Sequence, residues 1–80
     1  MEYKGELFRI NSFNLAPVEP REVSGKFCSY PTIGDRFLIW WGDHKLRITS
    51  GIVNVQKEEE FVKFYTENSA YVLYNIEGGA

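Results

Sequence analysis

His44 is the chain's only histidine and follows Asp43, so an acid–base pair is the first chemistry to consider. General acid–base work needs the imidazole held in a pocket beside a second group, and adjacent turn residues rarely aim both side chains at one point. A solvated turn histidine is the simpler reading. Cys28 is the only cysteine, flanked by Phe27 and, two residues on, Tyr30. A nucleophilic thiol needs a neighbouring base or a helix N-terminus to favour its thiolate, and neither is predicted here, so Cys28 reads as a small apolar strand residue. Glu58, Glu59 and Glu60 are consecutive, and consecutive loop residues do not converge on one ion. One His, one Cys and scattered carboxylates offer no zinc or calcium spacing. Gly78-Gly79 leads into no helix and makes no phosphate loop. The expectation is no catalytic site, no metal and no cofactor.

Composition frames that expectation. The chain has 80 residues, room for a single domain spanning 1–80 and one small core. Its 44% hydrophobic content, with Tyr 5, Phe 6 and Trp 2, argues for a folded globule rather than disorder. The formal net charge is −2 and the pI about 5.3, a balance that does not favour a phosphate polymer. A lone cysteine fits a reducing compartment. No apolar run approaches the roughly 20 residues of a membrane span, and Met1-Glu2-Tyr3-Lys4 lacks the apolar stretch of a secretory leader. A cytoplasmic protein with no membrane partner is expected.

The elements that would carry any surface site are strands. Ile, Val, Thr, Phe, Tyr and Trp dominate the ordered-looking stretches, and turn residues recur at short intervals. Strands are predicted within 3–13, over 23–30, 36–41, 45–55, 61–66 and 70–76, with Asn14 to Arg21 as a two-proline loop. No helix is predicted. Ser50-Gly51 inside a continuous strand reads as a bulge or bend. The fold class is therefore all-β: a small antiparallel barrel of five to seven strands, SH3-like or OB-like.

Register can be argued from turn chemistry. A two-residue loop at Gly42-Asp43 would place Ile39 opposite Leu46 and Phe37 opposite Ile48, making those four residues core, with Trp40 outside under the Lys45 stem. A one-residue slip would put Ile39 opposite Arg47, a poorer match. A four-residue loop Lys57 to Glu60 sets Val55 against Val62 and Val53 against Phe64. A two-residue loop Asn68-Ser69 sets Phe64 against Leu73 and Thr66 against Tyr71. One face is then Val53, Val55, Val62, Phe64, Tyr71 and Leu73.

The other face of that ribbon is not polar. Ile52, Tyr65 and Val72 form one row, Phe61 lies opposite Ile76, and Tyr74 lies beside Lys63. A sheet covered on one side alternates cleanly between apolar and polar, so a second surface needs covering. Either Asn14–Arg21 and the first strand fold over it, or it meets a protein partner or a second copy of the chain. With Trp40, the candidate partner-binding residues are Ile52, Phe61, Tyr65, Val72 and Tyr74. Tyr and Trp are the residues that anchor such faces.

Nucleic acid is the alternative partner, because small barrels stack bases on sheet aromatics such as Tyr3, Phe8, Phe27, Trp40 and Tyr65. That reading requires Arg9, Lys26, Arg36, Lys45 and Arg47 to gather on one sheet edge. An acidic mimic of nucleic acid has the right sign of charge but too little of it.

Thr49-Ser50-Gly51-Ile52-Val53, followed by Phe64 to Leu73 with its Thr66-Glu67-Asn68-Ser69-Ala70-Tyr71-Val72-Leu73 core, resembles a pattern in short uncharacterised bacterial and phage β proteins. In those a Thr-Ser-x-x-Val strand precedes a Thr-x-Asn-Ser-x-Tyr-x-Leu hairpin. The resemblance covers the C-terminal part of the chain. It implies a small barrel of prokaryotic or viral origin and brings no activity with it. Trp40-Trp41 and the Gly34-Asp35 strand start also look like an SH3 domain, although the acidic-aromatic motif that grips proline peptides is absent. The expected function is a non-catalytic protein-binding module, an accessory, regulatory or inhibitory protein acting through an aromatic sheet face or an edge strand.

Overall fold

The computed structural model describes residues 2–12 and 21–78. Six strands make up the described chain, with no helix: β1 (Tyr3–Ser12), β2 (Glu22–Phe27), β3 (Arg36–Trp41), β4 (Lys45–Lys57), β5 (Phe61–Thr66) and β6 (Ser69–Gly78). Each pairs antiparallel with its successor in sequence, and β6 returns to pair with β1, closing the barrel as an up-and-down meander. Closure leaves neither end of the sheet as a free edge. The covering role considered for Asn14–Arg21 falls largely outside the described residues.

The interior of so narrow a barrel is filled by rings. Tyr30 and Tyr3 meet edge-on, Tyr3 stacks on Phe27, and Phe27, Phe37, Phe64 and Tyr71 follow one another at centroid distances of 5.1–5.4 Å. Such spacings are favourable for aromatic pairs. Leu7, Val23, Ile39, Ile52, Val62 and Leu73 fill the space around this column. Phe37, Ile39, Val62, Phe64, Tyr71 and Leu73 are thus core as their alternation requires.

Strand phase is reset by bulges. Between Arg36↔Gly51 and Leu38↔Ile48, β3 advances two residues while β4 advances three, which is the irregularity expected at Ser50-Gly51. The Phe37 N–H opposite this bulge donates to Thr49 Oγ1 at 3.0 Å, and that hydroxyl donates in turn to the Ser50 carbonyl. A second bulge separates Ile52↔Thr66 from Asn54↔Tyr65. It turns Ile52 inward, to 2% exposure, and Val53 outward, to 54%. A third lies in β6 opposite Gly5, where Asn75 takes φ 52° and its amide donates to the Glu6 carboxylate. Asn is among the few side chains that accept that conformation readily.

These features correct the expected registers. The β3–β4 loop holds three residues, not two: Trp41 pairs with Lys45, Trp40 with Leu46, Ile39 with Arg47 and Leu38 with Ile48. Gly42 and His44 supply the positive φ values, 58° and 64°, that bend the chain there. Leu46 and Ile48 are consequently outside rather than core. Lys45 lies over Trp41, with Nζ 4.7 Å from the ring centroid, rather than over Trp40. The β5–β6 connection does hold two residues, but they are Glu67-Asn68 rather than Asn68-Ser69, giving Phe64↔Tyr71 and Val62↔Leu73. Its organiser is the buried Thr66 hydroxyl, which accepts from the Asn68 and Ser69 N–H groups and donates to the Ser69 carbonyl. Of the residues expected on the core face, Val53 leaves it, and Ile52 takes the inward place.

The seam between β2 and β3 is short, with Gly25 opposite Trp41 and Lys26 opposite Trp40. A Cβ on Gly25 would lie 2.0 Å from the Trp40 carbonyl oxygen, so only glycine lets these two backbones approach. Replacing Gly25 by alanine is expected to cost about 3 kcal/mol or more, since overpacking against rigid backbone cannot relax by side-chain rotation. Thr49→Val keeps the shape but strands the Phe37 N–H, an expected loss of about 1–3 kcal/mol. Chemical denaturation of both variants checks these losses; a Gly25→Ala protein as stable as the parent would contradict the close seam.

Candidate partner-binding face

The residues expected to bind a partner do not form one surface. Ile52 belongs to the core, so the row Ile52–Tyr65–Val72 does not exist. Tyr65 is half-buried beside Asn54 and Ala70, with Lys63 Nζ 5.4 Å from its ring centroid. Val72 is half-buried and faces Lys63 across the ladder. Phe61 pairs with Tyr74, not with Ile76, and the Tyr74 hydroxyl donates to the Glu22 carboxylate. Phe61, Val72 and Tyr74 line a shallow depression of about 710 Å³ together with the acidic run Glu58–Glu60. That wall is apolar in part: the Tyr74 hydroxyl is held by Glu22, while Phe61 is 37% exposed.

Trp40 stands elsewhere, and the company it keeps was not legible as a group. The three-residue β3–β4 loop turns Leu38, Trp40, Leu46 and Ile48 outward as two cross-strand pairs, Leu38↔Ile48 and Trp40↔Leu46. Their exposures are 45%, 52%, 37% and 51%. Scattered exposed apolar residues are ordinary, but these four adjoin one another across the β3–β4 ladder. Arg36 precedes Leu38 on the same strand, also exposed, and Lys26 pairs with Trp40 from β2. The patch is flanked by depressions of about 410 Å³ beside Leu38 and Trp40, and about 420 Å³ beside Trp40 and His44.

Charge is distributed unevenly around the barrel. On the β3–β4 hairpin Arg36, Lys45 and Arg47 outnumber Asp43, although the whole chain carries net −2. The acidic run Glu58–Glu60 sits at the far end of β4 from Lys45. Lys45 and Arg47 both lie against the Trp41 ring, the Arg47 guanidinium carbon 5.6 Å from its centroid. A cation held over an indole is attracted by its quadrupole, worth about 0.5–1 kcal/mol at an exposed site. Of the other aromatics considered for base stacking, Phe27 is fully buried with Tyr3 stacked on it, and Phe8 is half-buried.

His44 occupies the exposed tip of the β3–β4 turn and serves its conformation. Cys28 is exposed just past the end of β2 rather than within it. Among the described residues no three His, Cys, Asp or Glu side chains are grouped to hold a metal ion. No helix of the described residues is long and apolar enough to cross a membrane.

The two tryptophans give a direct check on this geometry. Trp40→Phe leaves Trp41, half-covered by its two cations; Trp41→Phe leaves the exposed Trp40. Acrylamide is neutral and reads access alone, so the Trp41→Phe protein is expected to show the stronger quenching and the redder emission. Equal quenching in the two variants would contradict the outward placement of Trp40.

No family model, curated protein or solved structure matches this chain.

Proposed function

We propose that this protein is a non-catalytic protein-binding module that docks through the outer face of the β3–β4 hairpin. The observation carrying the reading is the apolar quartet Leu38, Trp40, Leu46 and Ile48, paired across two strands and exposed together. Three of the four are aliphatic, which suits the apolar side chains of a partner protein. The indole supplies the large rigid anchor typical of interface centres. We further read the chain as a cytoplasmic accessory, regulatory or inhibitory protein of bacterial or phage type. That placement is supported by its lone cysteine and by the Thr49–Leu73 pattern. It uses a small SH3-like barrel as a scaffold without the proline grip of SH3 domains. A second copy of the chain is an admissible partner for the same face.

A second reading has one observation in its favour. Lys26 pairs with the exposed Trp40 from β2 and Arg36 lies on the same strand as Trp40, while Lys45 and Arg47 lie over the adjacent Trp41 ring. An indole among cations can stack a base and steer a phosphate backbone. The aliphatic majority of the face and the excess of acids over bases weigh against it.

The test uses matched surface variants. Capture from lysate of the cell that makes the protein is expected to retain a partner with the parent and with Tyr65→Glu, and to lose it with Trp40→Glu or Ile48→Glu. Stability in those two exposed variants is expected to stay within about 0.5 kcal/mol of the parent. Light scattering across concentration with the same variants reads self-association. Salt-dependent quenching of tryptophan by a dT oligonucleotide, with no protein captured, would replace this reading by the second.

A further inference from the structure

Two walls of the barrel carry exposed apolar groups, and the charges beside them are opposite in sign. On the β3–β4 wall, Arg36, Leu38 and Trp40 alternate with the buried Phe37 and Ile39, so they share the outer face of β3. Trp40 lines both depressions that flank the patch, which makes its indole a ridge between them. The exposed Arg36 guanidinium has no ion-pair or hydrogen-bond partner among the described residues. Lys26 pairs with Trp40 from β2, and its ion pair with Glu2 is a long 3.9 Å contact between exposed side chains. Asp35 is the one acid lining these two depressions.

The β5–β6 wall is the converse. Phe61, 37% exposed, pairs with Tyr74, and both line the depression of about 710 Å³ along with Val72 and Ile76. Three acids, Glu58, Glu59 and Glu60, stand beside it against one base, Lys57. Lys57 lies over Tyr30, with Nζ 5.2 Å from the ring centroid, and Glu58 accepts from the Gln56 amide. The exposed Glu59 and Glu60 carboxylates have no partner among the described residues. Unpaired charges beside apolar surface steer an oppositely charged surface into register with it.

Shape narrows the choice of partner. A ridge fits a depression. Two copies meeting through the same wall about a two-fold axis would bring ridge to ridge and cation to cation. A contact between unlike walls is heterologous, and each copy then offers one of each kind. The β3–β4 and β5–β6 walls share no strand in the closed order, so each faces outward in its own direction.

We propose that the occupant of the β3–β4 face is a second copy of this chain, docked head to tail. The Trp40 ridge of one copy enters the Phe61 depression of the next, and Arg36 and Lys26 meet Glu59 and Glu60. This inference rests on the reading of the β3–β4 wall as a docking face and names what docks there. Repetition of the contact builds a ring or a filament. So few side chains place it at the weak, reversible end of protein interfaces.

The test is sedimentation velocity of the full chain across concentration, at low and high salt. The parent is expected to grow past a dimer as concentration rises, and added salt to raise the concentration needed by about tenfold. Trp40→Glu spoils the ridge, and Glu59→Lys with Glu60→Lys reverses the charge beside the depression. All three positions are exposed, and circular dichroism confirms the fold of both variants. Each variant alone is expected to stay monomeric, while an equal mixture forms a dimer and nothing larger, because one intact ridge meets one intact depression. A two-fold contact cannot produce that complementation. A parent that stays monomeric to about 1 mM would overturn the inference. So would a Glu59→Lys with Glu60→Lys chain that associates like the parent, or a mixture that yields no dimer. Should the parent be monomeric while Trp40→Glu loses a captured protein, the docking face stands and the head-to-tail inference fails. Should Trp40→Glu alter neither association nor capture, the docking face itself fails.

Discussion

The narrowness of a closed six-strand barrel governs the rest of this molecule. Small barrels hold only what their inward side chains can fill, and here one column of rings from Tyr3 to Tyr71 takes most of that space. Each ring needs an inward position on a different strand, so strand phase is fixed by where the column passes. Residues that fall out of phase with it stay outside however apolar they are. Leu38, Trp40, Leu46 and Ile48 are outside for that reason.

Bulges make the closure possible. A regular ladder would keep β4 in one phase over all thirteen of its residues, with Thr49 and Ile52 on opposite faces. The extra residue near Ser50-Gly51 lets both point inward, and the Thr49 hydroxyl replaces the ladder partner that Phe37 loses. Buried polar groups in this protein are served in the same way: among the described residues no buried side-chain nitrogen or oxygen lacks a hydrogen-bond partner. The close seam at Gly25 is the complementary device, a place where one backbone touches the next because a side chain has been omitted.

Much of this was legible in the residues, and the failures share a cause. Strand identity, the absence of a helix and the bulge at Ser50-Gly51 follow from β-branched and aromatic content broken by turn residues. The core members Phe37, Ile39, Val62, Phe64, Tyr71 and Leu73 follow from alternation. Register between β3 and β4 did not. Cross-strand matching by hydrophobicity prefers Ile39 beside Leu46 over Ile39 beside Arg47, but both faces of this ribbon are apolar, so the criterion cannot discriminate. The positive φ of His44 decided it, and histidine carries only a weak signal for that conformation. Ile52 was misplaced because the bulge beside Asn54 has no glycine to announce it. Finding the exposed quartet required that register, so the face on which docking is proposed was invisible in sequence although Trp40 itself was not.

The account depends most on Leu46 and Ile48 being outside while Ile39 and Ile52 are inside. Solvent paramagnetic relaxation of methyl signals by an uncharged gadolinium chelate reads this directly. The account predicts strong broadening of the Leu38, Leu46, Ile48 and Val53 methyls and protected signals for Ile39, Ile52 and Leu73. Protection of Leu46 and Ile48 equal to that of Ile39 would contradict it, returning those side chains to the interior and removing the face on which docking is proposed.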